Sequence, residues 1–102
     1  MAELVTVANT KDLSNGKAIA VNVAGKKIAI FNTGGKYYAI DDECSHAGGP
    51  LAEGELSGTI VTCPWHGATF EITTGEALGA PAFVGVPAYP VRIEGEDVKI
   101  EL

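Results

Sequence analysis

A chain of 102 residues has the length of one domain around one hydrophobic core, and a hydrophobic share of 46% with 13 glycines argues for a compact, turn-rich globule and against disorder. The formal charge of -6, with only 7 Lys and Arg, excludes the clustered cations that bind phosphates, so no nucleic acid partner is expected. No apolar run approaches the roughly 20 residues that span a bilayer, and Met1-Ala2-Glu3-Leu4-Val5 lacks the basic and long apolar regions of a secretory signal; a soluble, cytoplasmic monomer with no membrane partner is expected.

Residues 3–8 are short and Val-rich and predict an edge strand. Residues 10–13 predict one helical turn, followed by Asn15-Gly16, a strong chain-reversal pair. Between 17 and 40, Val21 and Val23 alternate with Asn22, Ile28 and Ile30 alternate with Ala29, and Tyr37, Tyr38 and Ile40 populate a third run. Turns fall at 24–26 and 33–35. Period-two spacing with close Gly turns predicts antiparallel hairpins, and the absence of a 3.6-residue period predicts almost no helix. Asp41-Asp42-Glu43 then follows, three adjacent acids that read as a solvated strand exit.

The next stretch carries the chemistry. It begins Cys44-Ser45-His46 and ends Cys63-Pro64-Trp65-His66; 16 residues separate the pairs, and the chain holds no other Cys or His. Two Cys could form a disulfide, but without a secretory signal the redox context favours reduced thiols, and metal ligation becomes the leading reading. Each pair offers one sulfur and one nitrogen, which suits two loops closing on one metal centre. Ala47-Gly48-Gly49-Pro50 supplies small residues that let backbone approach a bulky group. Residues 58–62 predict a strand delivering Cys63, residues 68–72 a strand leaving the second loop, and residues 73–76 a hairpin closure. Residues 79–87, rich in Gly and Pro, predict a loop fit to cover the metal loops. From 91 to 102, apolar and polar residues alternate around Gly95, which predicts a final hairpin with one wet face.

A structural zinc site groups its Cys in one pair and its His in another. Here each pair is mixed, which lets each loop supply two neighbouring metals. The pattern C-x-H, 16 residues, C-x-x-H resembles the Rieske family, in which two His replace two Cys on one iron of a [2Fe-2S] cluster. Gly48, Pro50, Leu51, Glu53-Gly54, Pro64, Gly67 and Tyr89-Pro90-Val91 extend the resemblance over nearly the whole chain. It implies an all-β fold: a basal antiparallel β barrel or sandwich from residues before about 40 and after about 89, with an inserted cluster-binding subdomain at roughly 41–86. It also implies that Cys44 and Cys63 bind one iron and that His46 and His66 bind the other.

Rieske proteins of the cytochrome bc complexes look like C-T-H-L-G-C and C-P-C-H-G-S-x-Y. At the four informative positions this chain has Gly49, Trp65, Ala68 and Phe70, so the resemblance implies neither their disulfide nor their two hydroxyl donors, and hence a low reduction potential. Trp65 is read as packing against the ligand loops and screening the cluster, with an ordinary core Trp as the other reading. The implied function is one-electron transfer, from a flavin-containing NAD(P)H-dependent reductase to a terminal oxygenase through transient docking; the protein itself transforms no substrate. The alternatives are a stand-alone ferredoxin serving another enzyme, a small subunit of an enzyme such as nitrite reductase, and, from another class, a zinc-binding interaction module.

Overall fold

The computed structural model describes residues 4–43, 50–65, 67–78 and 84–101. Its strands are β1 (Leu4–Asn9), β2 (Ala18–Val23), β3 (Lys26–Thr33), β4 (Lys36–Asp41), β5 (Glu55–Ser57), β6 (Ile60–Thr62), β7 (Thr69–Glu71), β8 (Ala88–Tyr89), β9 (Val91–Glu94) and β10 (Asp97–Glu101). All their pairings are antiparallel, in three sheets ordered β1-β10-β9, β2-β3-β4-β8 and β5-β6-β7. Helical structure among the described residues is limited to two single 3-10 turns, Thr10–Asp12 and Leu51–Glu53. None of it is long and apolar enough to cross a membrane.

Local chemistry accounts for the central sheet. Val23 pairs with Lys26 and Thr33 with Lys36, leaving two-residue turns at Ala24-Gly25 and Gly34-Gly35. All four turn residues have positive φ, from 51° to 85°, the backbone that matches the twist of the flanking strands. Asn9 caps the first 3-10 turn by accepting the Lys11 N–H (2.9 Å). Leu13 follows it into the core, where the buried amide of Asn32 donates to the Leu13 carbonyl at 2.8 Å.

The central strand is buried on both faces. Side chains alternate between faces along a strand, so Ile28 and Ile30 enter one core with Leu13, Ala39, Val98 and Ile100, while Ala29 and Phe31 enter another with Ile40, Leu51, Val61, Phe70 and Ile72. The alternation of Ile28, Ala29 and Ile30 therefore separates two cores instead of core from solvent. Sheet β1-β10-β9 covers the first face. The small sheet β5-β6-β7 and the turn at Leu51–Glu53 cover the second. Tyr89 pairs with Ala39 in the central sheet, and two residues later Val91 pairs with Ile100, so the chain changes sheets at Pro90. The Pro90 carbonyl accepts the Glu101 N–H at 3.0 Å.

The expected edge strand, helical turn, three central strands and final hairpin are all present. Strand β5 was not expected. Its three residues carry one apolar side chain, Leu56, too little for a periodic signal; it exists because the Leu56–Val61 register presents a shared face to the second core.

Candidate metal centre

Of the four candidate ligands, Cys63 lies among the described residues, and Cys44, His46 and His66 lie outside them. Among the described residues no three His, Cys, Asp or Glu side chains gather as a metal-binding group. Cys63 directly follows β6 and is 2% exposed. Its N–H donates to the Ala68 carbonyl at 2.7 Å, one step beyond the Thr62–Thr69 pair, so the two strands run together up to this candidate ligand. The expected delivery of Cys63 from a strand end is thus observed, with the strand spanning Ile60–Thr62 and Gly58-Thr59 forming the turn before it.

The sulfur fits a metal thiolate. The Trp65 N–H donates to Cys63 Sγ at 3.4 Å, and a backbone donor aimed at sulfur favours its negative form. Leu51, Val61, Ala68 and Phe70 are fully buried in the same core and hold water away from that side of the cysteine. Ala68 and Phe70 are the positions read above as lacking hydroxyl donors, and both place hydrocarbon in this core. Gly49, which with Trp65 stands at the positions read above as lacking the disulfide, lies outside the described residues.

Asp42 corrects the reading of the acidic triplet. It is 1% exposed, so the strand exit is not solvated there. Its N–H donates to the Lys27 carbonyl (2.9 Å), its own carbonyl accepts the Leu51 N–H (2.7 Å), and its Oδ1 accepts the Ala52 N–H (2.8 Å). Glu43 and Pro50 form an antiparallel bridge. Glu43 and Pro50, which flank 44–49, are therefore held together, and the adjoining Leu51 is buried in the core that holds Cys63. Sequence reading missed this role because burial of one acid among three is decided by what packs over it. The signal that could have found it is the short turn Leu51–Glu53 after Pro50, whose first N–H groups need an acceptor that the Pro50 side chain cannot supply.

Trp65 is 50% exposed, which overturns the core-Trp reading. Of the expected cover, residues 79–83 lie outside the described residues; beyond them Val84 is exposed and Val86 returns to the core. The Val86 N–H donates to the Gly75 carbonyl at 2.8 Å. A Cβ on Gly75 would overlap the Val86 carbonyl oxygen, and one on Gly54 would overlap that of Thr62, so both glycines permit close backbone approach. The hairpin closure at 73–76 is observed, with Phe70 bridging Ala77.

The family described as Rieske [2Fe-2S] domain matches residues 3–90. The chain is 42% identical over 92 residues to the 3-phenylpropionate/cinnamic acid dioxygenase ferredoxin subunit of Escherichia coli strain K12, covering 89% of this chain and 86% of that one. Among solved structures, it superposes with a TM-score of 0.90 and 30% identity on a chain of the complex of reduced oxygenase and oxidized ferredoxin in carbazole 1,9a-dioxygenase, covering 95% of this chain and 91% of that one. The putative NADH-dependent nitrite reductase small subunit from Mycobacterium tuberculosis also superposes with a TM-score of 0.90 over 100% of this chain and 96% of that one, but at 22% identity this is a likeness of fold alone.

Proposed function

The chain belongs to the Rieske [2Fe-2S] domain family and is a one-electron carrier of ferredoxin type, and from that premise we propose that Cys44 and Cys63 hold one iron of its cluster and His46 and His66 the other. The cluster-binding part runs over roughly 41–86 as an insertion in the basal sheets. The protein works in the cytoplasm, taking electrons from a flavin-containing NAD(P)H-dependent reductase and passing them to a terminal oxygenase. The relative from Escherichia coli is named a ferredoxin subunit of a dioxygenase, and the carbazole dioxygenase ferredoxin is known in complex with its oxygenase. Both support this assignment of partners.

When bound, a [2Fe-2S] cluster supplies a one-electron couple. The chain's own residues do the rest. Cys63 presents a buried sulfur, the Trp65 N–H offsets negative charge on it, and Phe70, Leu51 and Val61 exclude water behind it. Ala68 and Phe70 offer no hydroxyl, which supports a potential toward the low end of the Rieske range of about -150 to +300 mV. The observation that carries the ligand reading is the placement of Cys63: a buried thiol with a backbone donor, followed at two and three residues by Trp65 and His66.

The test replaces the nitrogens. His46→Cys and His66→Cys should each abolish the Rieske EPR spectrum of the reduced protein, and any cluster that survives should have a lower potential because a thiolate replaces a neutral imidazole. An unchanged spectrum in both variants removes these histidines from the ligand set.

A further inference from the structure

Asp42 lies two residues before Cys44, and among the described residues it makes three polar contacts, to β3 and to the turn that follows the 44–49 segment. On one side its N–H is bonded to Lys27 of β3; on the other its carbonyl and its Oδ1 accept the N–H groups of Leu51 and Ala52 at 2.7 and 2.8 Å. A carboxyl group at 1% exposure is tolerated only where hydrogen bonds replace the water it has lost. The backbone bond to Leu51 alone would bring the two ends together. The side-chain bond to Ala52 adds a second tether one residue further on, which stops the Leu51–Glu53 turn from rotating about the first.

We propose that Asp42 is a positioning residue for the first ligand segment. By accepting the Ala52 N–H beside the backbone bond between Asp42 and Leu51, its carboxyl group sets the separation between Glu43 and Pro50, the described residues that flank 44–49. The adjoining Leu51 is fully buried beside Val61, Cys63 and Phe70, so the same tether holds the flank of 44–49 against the core that carries the second candidate ligand. This rests on the reading that Cys44 and His46 are ligands. Asparagine can keep the required oxygen at this position and alanine cannot, so the two substitutions separate the hydrogen bond from everything else that the residue does.

The experiment uses the cluster-loaded protein and follows iron loss to a chelator together with the EPR spectrum of the reduced state. Asp42→Ala should lose iron about tenfold faster, the equivalent of one hydrogen bond, with altered g-values. Asp42→Asn should stay within about threefold of the parent and keep its spectrum. Val98→Ala opens a cavity in the opposite core; it should lower the melting temperature while leaving iron loss and spectrum unchanged. Parental behaviour of Asp42→Ala, or the same spectral change in Val98→Ala, overturns the positioning role. Cys44→Ser keeps the two readings apart. If it loses the Rieske spectrum while Asp42→Ala is parental, only the role of Asp42 fails; if it retains the spectrum, the ligand reading fails and this inference with it. Should Asp42→Ala not fold, hydrogen exchange at Ala52 in the parent protein decides the point: slow exchange supports the tether, and exchange at the rate of an exposed amide overturns it.

Discussion

Tyr89 donates its phenolic O–H to Asp41 Oδ1 at 2.6 Å, joining the last strand of the central sheet to the strand that precedes the first pair of candidate ligands. Lys26 Nζ lies 5.8 Å from the centre of the same ring. Burial, then the hydrogen bond to Asp41, then the charge of that carboxylate push the phenol's pKa from 10.0 up to about 12. The neutral phenol is thus favoured by the folded state. Its contribution is fully present below about pH 10 and is lost as pH rises toward about 12. Tyr89→Phe should cost about 1 kcal/mol at neutral pH, less than the roughly 1.5–3 kcal/mol of a bond to a charged group because the pair is part-exposed. The difference in stability between parent and variant should then shrink between about pH 10 and 12. Denaturant melts of both proteins across that range measure it, and a difference independent of pH would show that Tyr89 does not titrate with folding.

At the scale of elements, Gly75 decides how the chain returns from the small sheet. It has φ +81°, and a Cβ there would strike the Val86 carbonyl; Gly16 has almost the same φ, +80°, with nothing within 4 Å of its Cβ position. Gly16→Ala should therefore cost the left-handed backbone penalty alone, about 1 kcal/mol. Gly75→Ala should cost at least about twice that, since the segment around Val86 must also move away. For a chain of this size each kcal/mol lowers the melting temperature by about 4–8 °C. Equal shifts in the two variants would mean that the Gly75–Val86 approach contributes nothing. The hairpins around β3 were legible because positive-φ turn pairs and period-two runs are local properties. Strand β5 and the second face of β3 were not, since Leu56, Ala29 and Phe31 become core only when the β5-β6-β7 layer covers them.

For the molecule as a whole, the net charge of -6 sets how it approaches charged partners. If the partners present basic sites, raising ionic strength so that the Debye length falls from about 30 to about 10 Å should slow electron transfer between separately purified components. A rate that does not change with salt would remove electrostatic steering as the main contribution. The sequence by itself determined the family, the cofactor and the ligand candidates, because metal ligation demands particular side chains at particular spacings and those are written in Cys44, His46, Cys63 and His66. It also determined the strand-rich fold, through alternation and turn residues. Only the tertiary structure decided that Asp42 is sealed inside, that Trp65 stands half in solvent, and that β3 serves two cores. Burial depends on which distant segments pack against a residue, and no local pattern encodes the layer that covers it.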